Sequence, residues 1–297
     1  MNRADISRAM FVGHAEYFFK IFDKPRREEY KLCSSPKKST KEQETYQTLG
    51  NMGPAEVKDE EHPVNYDGIT EGYETTVIND TIAKGFKVTM ETVEDEQYGI
   101  VNKVKTQELA RKMHLKRERS VAGVWDAIAT TVGADGVAGA AVNHPLLNSA
   151  KVNNNLYVAS AGAPTPDRII AMANMFNAIY DQAGEPMDTE ATAILVHRNY
   201  ETLVASILQS SNKALEQSNT KNTLPSLKLI TNKYIAQLPW GLLDEMIDSV
   251  IFQRRKGVTP EYDYDKRSTF NWYFNIHERY KAAKIHDGYG FVWQAGA

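Results

Sequence analysis

Residues Tyr66–Thr89 read YDGITEGYETTVINDTIAKGFKVT, and Met90–Gly99 continue METVEDEQYG. The β-branched and aromatic runs Tyr73–Ile78 and Phe86–Thr89 favour strand, and Pro63, Asp67-Gly68 and Gly72 punctuate the approach to them. Apolar residues are too sparse here for two buried faces. Residues 54–92 therefore predict an exposed strand pair with almost no core of its own. Its charge is one-sided, with twelve carboxylates against three lysines between Pro54 and Glu96.

Residues 94–131 predict a long helix. Glu94, Asp95 and Glu96 sit where a helix N-terminus favours negative charge. No proline interrupts the segment, although Gly99 and Gly123 weaken it, and Gly133 and Gly136 follow its end. Unbroken, at ~1.5 Å per residue, it would run about 55 Å. Tyr98, Val101 and Val104 form an apolar stripe at one end and Val121, Val124, Trp125 and Ile128 at the other. The middle is polar, with Leu109, Met113 and Leu115 its main apolar members. From Val101 to Arg119, Lys103, Lys105, Arg111, Lys112, Lys116, Arg117 and Arg119 stand against Glu108 and Glu118. A helix this polar bridges solvent or meets a partner. Two elements that cannot bury themselves point to a chain completed by other copies of itself.

The rest of the 297 residues, 42% hydrophobic and 25% charged, has ordinary globular composition and enough length for a sizeable core. A net charge of −3 gives no whole-molecule attraction to polyanions. The one cysteine, Cys33, excludes an internal disulfide framework and reads as a spectator thiol in a reducing compartment. No apolar run reaches the roughly 20 residues of a membrane span, and no signal-peptide pattern opens the chain. A soluble protein made in the cytoplasm is expected. Residues 5–22 predict an amphipathic helix, and the polar tract 24–44 resists packing into a core, so the two together read as an arm reaching across a surface. Residues 135–164 read as loop. Thr165-Pro166-Asp167 marks a helix start, Ala193–Val196 a buried strand, Asn199–Leu208 a helix, and 209–223 a polar loop. Leu227–Ile230 and Ser249–Gln253 read as strands, Tyr262–Lys266 as a polar turn, Thr269 to about Ile285 as a long strand, and Asp287-Gly288 as a turn. The class is mixed α+β.

Motifs for chemistry are missing from the sequence. There is no phosphate loop, dinucleotide fingerprint, nucleophile elbow or cysteine pair for zinc. The seven histidines share no His-x-x-x-His spacing. His277-Glu278 lies in a strand pattern, where neighbours point to opposite faces. No catalytic, cofactor-binding or metal-ligating residue is assigned, and no cofactor is expected. The basic middle of the long helix is the one candidate for nucleic acid, and without interleaved aromatics it reads more readily as a partner-facing surface.

The order of elements resembles the major capsid proteins of tailed phages, especially the Mu-like major head subunit, with the Hong Kong 97-type capsid fold. Gly72–Thr76 (GYETT), Ala83–Thr89 (AKGFKVT) and Val93–Gly99 (VEDEQYG) resemble that family's extended loop and the entry to its spine helix. His144-Pro145-Leu146 resembles the loop after the spine. Asp181–Pro186 with Ala193–Arg198 resembles the step into the axial domain, and Ile285–Trp293 (IHDGYGFVW) the C-terminal end. The resemblance covers most of the chain from about Tyr66 on. It implies an α+β phage major capsid fold: N-terminal arm 1–53, extended β-hairpin loop 54–92, peripheral domain with spine helix 93–188, axial domain 189–265 and a return to the peripheral domain at 266–297. It implies no enzyme and no catalytic residues. It does imply a homo-oligomer of pentamers and hexamers in a virion shell around double-stranded DNA, assembled in the host cytoplasm, with scaffold, portal or decoration proteins as further partners. An encapsulin-type shell around protein cargo is an alternative, as are a cytosolic enzyme using His144 or His197 and a nucleic-acid module built on the basic helix. If the acidic loop of one copy lies over the basic helix of its neighbour, reversing Arg111, Lys112 and Arg117 to glutamate is expected to block the shell and spare the monomer fold.

Overall fold

The computed structural model describes residues 3–24, 27–50, 71–95, 100–158, 162–210, 226–265, 271–285 and 288–294, with Leu224 and scattered positions between 52 and 70. Most of the expected 209–223 loop and Asp287 of the expected turn lie outside the described residues.

A four-stranded sheet forms the first body. Its order is β1 (Ser35–Lys38), β11 (Val250–Tyr264), β12 (Trp272–Lys284), β4 (Asp80–Val88). Side chains alternate along a strand, so Phe274, Ile276, Glu278, Tyr280 and Ala282 of β12 share one face, and all are buried. Helices α1 (Arg3–Phe22) and α3 (Ile100–Asp126) cover that face. Phe18 and Phe22 meet Leu109, Ala110 and Met113 there, over Phe274 and Ile276.

A five-stranded sheet forms the second body, ordered β7 (Leu156–Tyr157), β13 (Phe291–Gln294), β10 (Gly241–Leu243), β8 (Ala193–His197), β9 (Lys228–Asn232). Ala193–Val196 are fully buried, as a central strand covered on both faces demands. On one face lie α4 (Pro166–Phe176) and α5 (Glu201–Gln209). The Thr165 hydroxyl accepts from the Arg168 N–H at 3.4 Å and Pro166 occupies the first turn, a cap fixed by sequence. The other face meets the end of α3, where Trp125 stacks on Trp293 with centroids 5.2 Å apart. Two short strands, β5 (His144–Pro145) and β6 (Val152–Asn153), pin the intervening loop.

Four expectations are corrected. The predicted strand pair is not a pair: β3 (Glu71–Ile78) bonds antiparallel to β2 (Gln43–Leu49), whereas β4 bonds to β12. Phe86 of β4 finds Phe274 in the body, so Asn79 becomes the point where the chain passes from one sheet to the other. The hairpin is thus β2–β3, and it begins at Gln43 rather than 54. The long helix is described over α2 (Met90–Asp95) and α3, with 96–99 outside the described residues; α3 ends at Asp126 rather than at 131 and is about 40 Å long. The tract 24–44 does enter the core. Glu29, Tyr30 and Cys33 are buried, the Trp125 indole N–H donates to the Cys33 carbonyl at 2.8 Å, and β1 runs parallel to β11. Finally, Tyr262–Tyr264 continue β11, held by Trp272 stacked 4.0 Å from Tyr264.

Candidate functional site

Two surfaces stand out. The first is the hairpin. Strands β2 and β3 are mostly exposed, and their ladder closes where Gly50 N–H donates to the Thr70 carbonyl at 2.7 Å. Gly72 seats the hairpin against the 146–149 loop, because a Cβ there would lie 2.4 Å from Leu147 Cδ1. Beyond Gly50 the described tip residues include exposed Met52, Val57, Val64 and Tyr66 beside Asp59, Glu60 and Glu61.

The second surface is the outer face of α3. Lys103, Arg111, Lys112, Lys116 and Arg119 are exposed and Lys105 half-buried. Glu108 is the carboxylate among them, 3.7 Å from Lys112. Arg117 is not part of this face. It points inward to Glu278 on β12, donating from Nε at 2.9 and 3.3 Å, with a further Nη2 contact, and its guanidinium lies 4.6 Å from the centre of the Phe22 ring. Burial pushes the Glu278 carboxyl up while the Arg117 guanidinium pulls it down, and Arg117 itself is raised despite burial. With two guanidinium nitrogens aimed at the carboxylate oxygens, we read the pair as ionised. The triple reversal that included Arg117 would therefore break the fold, and that expectation is corrected. Glu118 is buried as well, so among the described residues the outer face from Lys103 to Arg119 keeps six bases against one carboxylate, with Asp126 exposed at the end of the helix.

A groove of about 620 Å³ runs between the hairpin base and the end of α3. Gly123, Val124 and Ala127 form its apolar wall, with Lys116, Lys281 and Lys284 among its other lining residues. A second groove, about 780 Å³, separates the end of α1 from α3, with Glu29, Glu118 and Arg198 in its lining. The Glu118 carboxylate accepts from Tyr30 N–H at 2.8 Å, and among the described residues its other oxygen accepts no hydrogen bond, the His114 Nδ1 lying 3.9 Å from it. Burial pushes this carboxyl up to about 7, Tyr30 N–H opposing and Glu28 adding to the rise. A carboxyl raised in the folded state contributes stability below its unfolded value that is lost as pH rises toward 7. Glu118→Gln, which can still accept from Tyr30, should therefore gain about 2 kcal/mol over the native chain at pH 8 and nothing near pH 4. Urea titrations at the two pH values check this.

The histidines singled out in the sequence are each held by hydrogen-bond contacts. His144, the first enzyme candidate, lies between Asp135 (2.6 Å) and Asn155 (3.2 Å), all three buried side by side beneath the 135–155 loop. Burial would raise the Asp135 carboxyl, yet the His144 ring and Val137 N–H hold it below the usual carboxylate range. Gly288, at φ +83°, lets the C-terminal turn pass over that ring. His197, the second candidate, accepts from Asn199 N–H at 3.1 Å and contacts the Lys233 carbonyl, capping a short turn. His277 and Glu278 face opposite ways: His277 contacts Lys256 at 2.9 Å on the outer face while Glu278 is fully buried. Burial pushes the Cys33 thiol up to about 12. Among the described residues no three His, Cys, Asp or Glu side chains converge as a metal site, and no helix is long and apolar enough to cross a membrane. What the arrangement offers chemically is complementary charge and an exposed apolar tip.

The model of a phage capsid protein family matches residues 73–294. No curated protein matches the chain. Among solved structures, a virus-like particle from Pyrococcus furiosus is similar with a TM-score of 0.57 at 11% identity, covering 96% of this chain and 99% of that one. The capsid of cyanophage P-SCSP1u gives 0.57 at 8% identity over 89% and 86%. The bacteriophage JBD30 capsid gives 0.53 at 10% identity; 89% of this chain is covered, and it spans 63% of that one. At these identities the likeness establishes the fold.

Proposed function

Because the chain belongs to the phage capsid protein family and is a major capsid shell protein of the virion, we propose that it builds an icosahedral shell of pentamers and hexamers around double-stranded DNA, held by the hairpin of one copy lying over the α3 face of the next. The observation that supports the contact is the outward face of α3 between Lys103 and Arg119, six bases to one carboxylate among the described residues, together with a hairpin rich in carboxylates. Exposed charge pairs are worth only about 0–1 kcal/mol each. Repetition over many copies supplies cohesion, and charge sets register and rejects wrong partners. In this reading the four-stranded sheet with α1 and α3 is the peripheral body and the five-stranded sheet the axial body, so β11 (Val250–Tyr264) leaves the expected axial segment 189–265 and β13 (Phe291–Gln294) of the expected peripheral return 266–297 joins the axial body. The motifs GYETT, AKGFKVT and VEDEQYG favour the Mu-like subgroup. DNA would be held without sequence reading, scaffold, portal or decoration proteins would join during assembly, and the chain would have no catalytic role.

Arg111→Glu/Lys112→Glu/Arg119→Glu tests the contact with exposed residues alone. The variant should fold with unchanged thermal stability and give no particles by negative-stain microscopy. Normal shells from it would overturn the hairpin-on-helix contact. A shell around protein cargo is the second reading, since the end-to-end likeness to the Pyrococcus furiosus virus-like particle supports a shell fold whatever the shell encloses. Nuclease-treated particles that retain no nucleic acid would select it.

A further inference from the structure

Two crossings join the hairpin to the body: residues 39–42 lead from β1 into β2, and Asn79 leads from β3 into β4. Both are tied to one side chain of the four-stranded sheet, Gln253 on β11, which is fully buried. The Tyr46 hydroxyl of β2 donates to Gln253 Oε1 at 2.7 Å, which fixes the orientation of the amide. Gln253 Nε2 then donates to Asn79 Oδ1 at 3.0 Å and the Val77 carbonyl at 3.4 Å. Asn79 Nδ2 continues the chain to Ser39 Oγ at 2.9 Å and to the Lys41 and Glu42 carbonyls at 3.1 and 3.2 Å. Glu44 closes the first crossing by accepting from Ser39 Oγ and the Thr40 N–H. Every amide atom of Gln253 and Asn79 is engaged.

Around this network lie Val77, Ile251 and Ile285, with Tyr46 and Ala283 against them. An apolar side chain at 253 would fit that company. Apolar contact has no direction and lets a strand pair slide or tilt, whereas a satisfied buried amide network admits one arrangement. We propose that Gln253 and Asn79 are positioning residues for assembly: they fix the direction in which the hairpin leaves its subunit, and so which neighbouring copy the tip reaches. The proposal rests on the shell reading above for its consequence, and on the network alone for its mechanism.

The test uses the full chain carrying Gln253→Met, which keeps length and loses the directional bonds, and Tyr46→Phe, a milder variant that removes only the donor to Oε1. In hydrogen exchange of the unassembled chain, amides of 43–49 and 71–78 should exchange about tenfold faster while those of 193–197 and 272–284 stay protected. Microscopy should show particles of mixed diameter or open sheets where the native chain gives one size. Unchanged hairpin exchange in both variants would overturn the mechanism. A loosened hairpin with uniform native-size particles would overturn the positioning role. If the native chain itself forms no particles, the shell reading fails, and the exchange result still decides whether the network holds the hairpin.

Discussion

Arg117→Ala should cost the subunit about 3–5 kcal/mol, because it leaves a buried carboxylate without its partner. Glu278 is fully buried on the face of β12 that α3 covers, and the guanidinium supplies its hydrogen bonds from two nitrogens. The same guanidinium rests on the Phe22 ring, so the variant also loosens α1. Against a typical total of about 5–15 kcal/mol, that loss leaves a marginal fold. Glu278→Gln leaves the Arg117 guanidinium without its counter-ion, and should cost less only because the amide oxygen still accepts from it and the Phe22 ring still faces it. The double variant Arg117→Met/Glu278→Met should recover much of the loss, as apolar replacements of whole buried pairs do. Urea denaturation of the three variants is the measurement. A loss under about 1 kcal/mol for Arg117→Ala would mean that the pair is open to water.

That pair was legible in the sequence, although charge counting concealed it. Leu109, Met113, Arg117 and Val121 recur every four residues, so Arg117 sits on the apolar stripe of α3. Phe274, Ile276, Glu278, Tyr280 and Ala282 alternate, so Glu278 sits on the buried face of its strand. Opposite charges at core positions of two patterns predict each other; summing charge along a helix discards the face on which each one lies. Periodicity and capping were enough for α1, for the start of α4 and for Ala193–Val196, because those signals are local. The partner of β3 was not readable. Strands β2 and β3 are joined through a long tip and alternate weakly, so pairing depends on Tyr46 and Val77 reaching Ile251 and Gln253, residues some two hundred positions away along the chain. The burial of Tyr30 and Cys33 was missed for a related reason: a polar tract can contribute a few core residues when a strand edge and an indole N–H wait for its backbone.

Replacing residues 51–69 by Asn-Gly should abolish particles and leave the subunit as stable as the native chain to within about 0.5 kcal/mol. The rung from Gly50 to Thr70 is where the ladder closes, and a two-residue turn fits between those positions. The tip removed carries Val57, 94% exposed, and Tyr66, 87% exposed, with Met52 and Val64 also open to solvent. Single exposed apolar residues are ordinary, but a group of them on one projecting loop marks an interaction site. Asp59, Glu60 and Glu61 lie among them, so the tip joins apolar area to the carboxylates that the α3 face would attract. Charge reversal on α3 tests the electrostatic half of that contact; excision of the tip removes both halves, and the larger effect is expected from it. Size-exclusion mass and microscopy read the assembly, and thermal unfolding reads the fold. Particles of native size from the shortened chain would show that cohesion lies elsewhere on the subunit. A large loss of stability would show instead that the tip packs on its own subunit. Loss of particles at full stability is the one result in which the tip serves only a neighbouring copy.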